Sequence, residues 1–203
     1  MTTDSTAGPP GHAERPRRSH RDYYTALYQA ALTISSSLEL DQVLQSVVKS
    51  ITEAMQVKAC TLRLWHKETG RMEISAVYGL SAGYLAKGPV DIAHSPIDSE
   101  TLRGTPVYIA DARSDPRFQY QQAAREEGIV SVLCVPLEVH GSAIGVIRVY
   151  TDSPTIFGED DVQFLSVLAS LAGLAIENAR LYEGVRSSYD GVMAALWGDQ
   201  LPL

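Results

Sequence analysis

Ser131-Val132-Leu133-Cys134-Val135-Pro136-Leu137-Glu138-Val139-His140-Gly141-Ser142-Ala143-Ile144-Gly145-Val146-Ile147-Arg148-Val149-Tyr150 reads as two long strands joined by a tight turn at His140-Gly141-Ser142. Val, Ile and Leu favour extended backbone, and Gly at the turn reaches positive φ without a steric penalty. Neither strand alternates cleanly between apolar and polar residues. Residues of both parities are apolar, so both faces of the sheet are expected to be covered. Helices supply one cover in such a domain. The other must come from the irregular middle of the chain, and a layer of that kind over a sheet is where pockets form.

Working outward, the elements on either side are short and regular. Residues 58–65 read as a strand, Lys67-Glu68-Thr69-Gly70 as its turn, and residues 72–78 as the returning strand. From Gly79 to Gly128 the chain is punctuated by Pro89, Pro96, Pro106 and Pro116, with short helical pieces near Tyr84 and Leu102 and a strand at 106–110. This is the expected lid layer. Ahead of the sheet, a helix starts near Asp22 with Tyr24, Leu27, Ala31, Ile34 and Leu38 on one seam. Asp41 is placed to cap a second helix carrying Leu44, Val47, Val48, Ile51 and Met55.

A last long helix begins near Glu159, where Glu159, Asp160 and Asp161 complement the helix dipole. Phe164, Leu168, Leu171, Ala175, Asn178, Tyr182 and Val185 follow steps of four and three, and Leu165, Ala172 and Ala179 form a second stripe. A helix apolar on two sides needs two neighbours. The sheet is one; the other is the first helix or the same helices of a second copy. Tyr24, Leu27, Ala31, Ile34, Leu168, Leu171, Ala175, Asn178 and Tyr182 are therefore the expected dimer interface, with Asn178 fixing register. An intramolecular helix pair is the alternative.

The 203 residues, 45% of them hydrophobic, suit one domain with tails: a disordered segment at 1–21, the domain at 22–183 and an extension at 184–203. A net charge of −7 argues against a general nucleic-acid or anionic-membrane surface. No signal-peptide core and no membrane-length apolar run stands out, so the expected location is cytoplasmic. Cys60 and Cys134 fall within strands and read as buried thiols, not a disulfide framework.

The order of elements, together with Ile34-Ser35-Ser36-Ser37-Leu38-Glu39-Leu40-Asp41, Tyr78-Gly79-Leu80-Ser81, Gly104-Thr105-Pro106-Val107-Tyr108-Ile109-Ala110-Asp111, Asp115-Pro116-Arg117-Phe118, Val135-Pro136-Leu137, Gly145-Val146-Ile147 and Ala175-Ile176-Glu177-Asn178-Ala179-Arg180-Leu181-Tyr182, resembles the GAF domain, a sensor module of signalling proteins. Each piece is short; their order and spacing carry the likeness. The resemblance implies an α+β fold with a central antiparallel sheet of about five or six strands, terminal helices on one face and a ligand pocket under loops and short helices on the other. It also implies dimerisation through the terminal helices. Such domains usually continue into an output domain, whereas about twenty residues follow Tyr182 here. The expectation is a module that signals to a separate protein, a kinase or another regulator.

Tyr78, Tyr84, Tyr108, Phe118 and Tyr120 lie in or beside the lid and suit a ligand pocket, as do His94 and Cys134. His94 is a candidate haem ligand or hydrogen-bond donor, though a solvated loop histidine is the plainer reading. No cofactor is named by any motif: no zinc spacing, no bilin-type Cys-His pair and no Asn-Lys-Phe-Asp-Glu cyclic-nucleotide motif occurs. Gly79-Leu80-Ser81-Ala82-Gly83 fits a nucleophile-elbow pattern, but it follows a hairpin and not a strand–helix series, so Ser81 reads as a loop residue. Arg148 is the odd charge in an apolar strand; a structural ion pair, with Glu177 as partner, competes with a role in holding an anionic ligand. The leading expectation is a non-catalytic small-molecule sensor. A redox or hydrolytic enzyme using Cys134 or Ser81, and an interaction scaffold with a vestigial pocket, are the alternatives.

Overall fold

The structure is a computed structural model, and it describes residues 20–36 and 39–197. Six strands form one antiparallel sheet in the order β3-β2-β1-β6-β5-β4, with β1 Ala59–His66, β2 Arg71–Tyr78, β3 Val90–Asp91, β4 Val107–Ile109, β5 Val132–Val139 and β6 Ser142–Tyr150. The β5–β6 connection is a two-residue loop, His140-Gly141, with φ of 49° and 71°. Positive φ at both central residues matches the right-handed twist of the flanking strands. All four pairings of β1, β2, β5 and β6 with one another or with β4 are antiparallel, as the hairpin reading requires.

One face of the sheet is covered by α1 His20–Ser36, α2 Leu40–Ala54 and α6 Glu159–Trp197. Helix α2 lies over β1 and β2, α6 lies mainly over β5, and α1 rests on both helices. Their core joins Leu44, Val47, Val48 and Ile51 of α2 and Phe164, Leu165, Leu168, Ala172 and Ile176 of α6 to Cys60, Leu62, Leu133, Val135, Ile147 and Val149. The ring of Tyr23 stacks on Phe164 with centroids 4.0 Å apart, and its hydroxyl donates to Asp161. Asp41 does not cap α2. The helix starts at Leu40 with Glu39 at the flanking position, so Asp41 sits in the first turn, where its charge still faces the positive end of the dipole.

Close packing of α6 on the hairpin depends on Gly173. A Cβ there would lie 2.6 Å from the Glu138 carbonyl oxygen, closer than a carbon can approach. Contrary to the expectation of no membrane-length apolar run, α6 is long and apolar enough over residues 159–189 to cross a bilayer. Of its apolar window, 44% is buried inside the domain. The seam is split by this packing. Leu168 and Ala175, expected at a dimer interface, are buried in the subunit's own core, and Leu171 packs at its margin. Tyr24, Asn178 and Tyr182 are exposed, Ala31 is exposed, and Leu27 and Ile34 are half-buried. Leu38 lies outside the described residues, as do 1–19 of the expected tail and 198–203 of the extension. From Leu181 to Tyr189 every α6 residue is exposed.

The opposite face is covered by α3 Ala82–Leu85, a 3-10 turn Ile92–His94, α4 Pro96–Thr101 and α5 Gln121–Glu127, in the same stretch of chain that supplies the edge strands β3 and β4. This is the irregular layer that the prolines announced.

Candidate functional site

Strand alternation decides what the lid layer touches. On β1, Cys60 and Leu62 enter the helix-side core, whereas Ala59 faces the lid core. Thr61, Arg63 and Trp65 share the parity of Ala59. On β6, Ile147 and Val149 face the helices, and Val146, Arg148 and Tyr150 face the lid. On β5, Cys134 faces the lid. Register then sets the neighbours: Cys134, Arg148 and Thr61 lie side by side across three strands, and Arg63 stands opposite Val146. The lid contributes Tyr84 from α3, Ile97 and Asp98 from α4, and Phe118. The layer is closed: Tyr84, Ile97, Phe118 and Tyr150 are all buried. A broad open groove of about 670 Å³, lined by Asp41, Gln42, Gln45, Ser46, Lys49 and Ser75, lies along α2 and not beneath the lid.

The polar groups in this layer are unusual for a domain core. Arg148 is paired, but not with Glu177 as the sequence suggested. Its guanidinium donates to Asp98 of α4, because the side chain leaves β6 on the lid face while α6 lies on the other. Asp98 is fully buried and also accepts from the Ser95 hydroxyl at 2.6 Å. Glu177 instead meets the His140 ring at the hairpin turn. Thr61 Oγ1 and the Tyr150 hydroxyl share a hydrogen bond of 3.2 Å. Lys87 Nζ lies 2.9 Å from the Tyr84 ring centroid and 5.0 Å from that of Tyr120. Burial first, and the Arg63 and Arg148 charges next, bring its ammonium down to about 6. Arg63 is fully buried, and its Nε, Nη1 and Nη2 have no hydrogen-bond partner. No motif pointed to Arg63, Lys87, Asp98, Trp65 or Tyr150. For Arg63 a signal was present: like Arg148 it is a lone charge within an apolar strand.

Of the residues picked from sequence, the structure brings Tyr84, Phe118 and Cys134 together beneath the lid, with Tyr120 at its margin. Tyr78 is not there. It stands opposite Cys60 on the helix side, because the β1–β2 register shifts at Leu62/Arg63, leaving Ser75 as an extra residue that reverses the alternation of β2. Tyr108 stands opposite Leu133, turns its ring to Phe157 and donates to the Thr155 carbonyl at 2.9 Å. His94 is exposed and its Nδ1 meets the Asp91 carboxylate at 3.1 Å. Ser81 caps α3, accepting from the Tyr84 amide at 3.1 Å, while its own amide and hydroxyl both donate to Glu127. Its carboxylate neighbour is a structural acceptor, and this accounts for the serine in the Gly79-to-Gly83 pattern. Cys60 and Cys134 are both free and buried, on opposite faces of the sheet. Burial pushes both thiols up, Cys134 to about 11, so neither is a ready thiolate. Among the described residues no group of three or more His, Cys, Asp or Glu side chains is arranged to hold a metal.

Comparison with known proteins agrees with this architecture. The family model for the GAF domain matches residues 39–176. The Nif-specific regulatory protein of Azospirillum lipoferum is 25% identical over 156 residues, which cover 74% of this chain and 25% of that protein. The chain thus spans about a quarter of the length of that curated relative. Among solved structures, the GAF domain of a phosphoenolpyruvate-protein phosphotransferase from Coxiella burnetii superposes with a TM-score of 0.72 at 23% identity, covering 81% of this chain and 98% of that one. Free methionine-R-sulfoxide reductase from Neisseria meningitidis, solved with its substrate, superposes with a TM-score of 0.67 at 18% identity, covering 85% and 99%. The family is chiefly one of regulatory, small-molecule-sensing modules. From residue 39 to residue 176, this chain is a member of the GAF domain family.

Proposed function

We propose that the chain is a non-catalytic, cytoplasmic sensor and regulatory module. A small ligand binds between the sheet and the lid, two copies pair through α1 and the distal part of α6, and the resulting shift in helix packing is passed to a separate signalling protein. The observation that carries this reading is the contrast within one sheet: strands that present apolar side chains to the helices, and a lid face holding two buried arginines, a buried aspartate and a desolvated lysine. A side that only stabilised the fold would gain nothing from such groups. The exposed apolar residues Leu174, Leu181, Val185 and Val192 on α6 and Tyr24, Tyr28 and Leu32 on α1 support the pairing.

For a signal to pass, the ligand must bind one helix arrangement better than the other. The test is native mass spectrometry of freshly purified protein for a retained small molecule, with light scattering of wild type and Leu181→Glu/Val185→Glu. A retained molecule together with a wild-type dimer that the double variant loses supports the reading. A monomer at every concentration, with no molecule retained and no ligand-dependent shift in melting temperature, sinks it. The likeness to a sulfoxide reductase keeps a redox enzyme in view, but two inert thiols on opposite faces do not support it.

A further inference from the structure

From the donors gathered beneath the lid we infer that the ligand is a small oxyanion, bearing a carboxylate or a phosphate group, and that Arg63 is its primary anchor, with Arg148 and the lid residues Lys87 and Tyr84 completing the site. This inference rests on the ligand-binding reading above and names the class of ligand.

Among the described residues, the buried side-chain polar atoms without a hydrogen-bond partner are Arg63 Nε, Nη1 and Nη2, Arg148 Nε, Trp65 Nε1 and the Tyr84 hydroxyl. All belong to residues of the lid face or of the lid itself. Five of these six atoms are donors with no acceptor capacity, and the sixth can donate. Unsatisfied groups scattered at random would include carbonyl or carboxylate oxygens. A one-sided set of donors calls for an acceptor, and a planar guanidinium fork matches a carboxylate or phosphate in a bidentate fashion.

Charge points the same way. The carboxylates of this layer are committed: Asp98 to Arg148 and Ser95, and Glu127 to Ser81 and, at 4.0 Å, Lys58. Among the described residues no group hydrogen-bonds the Arg63 guanidinium, and a lone ionised group away from water is costly unless something pairs with it. Arg63 and Arg148 both act on Lys87 and on Tyr84 across the layer, so the positive charges share one region. The lid segment carrying Tyr84 and Lys87 is held by the Ser81–Glu127 bonds and by the Tyr120 hydroxyl donating to the Pro89 carbonyl at 3.4 Å. Entry needs this segment to swing outward, after which an anion can replace Arg63's missing partner and draw Lys87 back over it.

The experiment is calorimetric titration of the full chain with inorganic phosphate, AMP and succinate, each against an uncharged counterpart where one exists, adenosine for AMP and succinamide for succinate. The expected result is saturable binding of at least one anion and none of its neutral counterpart. Phosphate and AMP against succinate separate the phosphate class from the carboxylate class. Arg63→Met should weaken the binding anion by about 10- to 100-fold, the loss of a charge-assisted pair, and Arg63→Lys should restore part of it. Circular dichroism verifies that each variant folds. Unchanged anion affinity in a folded Arg63→Met protein overturns the inference. So does a neutral molecule retained in native mass spectra while every anion is silent, although that outcome leaves the sensing function standing. Silence toward all probes with nothing retained overturns both.

Discussion

The two faces of the sheet are built from alternate residues of the same strands, yet they are chemically opposite. On the helix face, β1 and β6 present Cys60, Leu62, Ile147 and Val149 to an apolar core that includes all three long helices. On the lid face they present Thr61, Arg63, Arg148 and Tyr150 to short helices and loops. The helix face secures the fold through hydrophobic burial. That security lets the lid face keep charged groups that stability alone would have replaced. The comparison predicts distinct responses to mutation on each side.

The largest effect should follow Asp98→Ala. It strands Arg148 in the lid layer without its partner, and loss of one member of a buried ion pair costs about 3–5 kcal/mol. Denaturant unfolding would measure it; a loss below about 1 kcal/mol would show that the lid face is less sealed than its burial suggests. On the helix side, Leu62→Ala should cost about 2–5 kcal/mol by the cavity it leaves, with ligand affinity unchanged once folding is allowed for. Arg63→Met runs in the opposite direction. Removing an unpaired buried charge should leave the free protein as stable or more stable, by as much as about 1–4 kcal/mol. A clear loss of stability in this variant would erase the distinction between the faces.

Lys87 gives the lid face a pH slope. In the folded chain Lys87 holds its proton only below about 6, chiefly because of burial, whereas an unfolded chain keeps it to the ordinary lysine range near 10. Below about pH 6 both states are protonated and the full penalty for burying the charge is present. Between about 6 and 10 the unfolded state binds the extra proton, so stability rises with pH through that window. The charges around it adjust the shift that burial makes, Arg63 and Arg148 lowering the pKa further and Glu127 and Asp98 opposing them. Lys87→Met should flatten this rise, as followed by melting temperature across the window; an identical slope in wild type and variant would remove Lys87 from the layer.

What could be read from the chain follows the same division. The hairpin at 131–150 was legible because a strand buried on both faces is apolar at every step, and the long helices because their stripes repeat over many residues. Arg148 stood out against that apolar background. Its partner did not, since Asp98 lies in Pro-Ile-Asp-Ser-Glu-Thr, a polar lid segment where one more carboxylate carries no signal. Tyr78 was assigned to the wrong face because one extra residue, Ser75, inverts the alternation, and nothing in the sequence marks a bulge there. The α6 stripe was visible, but which of its residues are used inside the subunit depends on where the helix crosses β5, so Leu168 and Ala175 could not be told from Tyr182. Arg63 was readable by the argument applied to Arg148, and the gain from its buried position emerged only with the sheet register.

Gly173 has a mechanical consequence. It seats α6 against the backbone of Glu138; Ile176 and Glu177 still touch the domain, and the helix then runs on to Trp197 with every residue from Leu181 to Tyr189 exposed. At 1.5 Å per residue the arm from Glu177 to Trp197 is about 30 Å long, and a tilt of about 5° at its root carries its tip roughly 3 Å. Motions of the sheet too small to disturb the core would thus be amplified into displacements that a neighbouring helix can register.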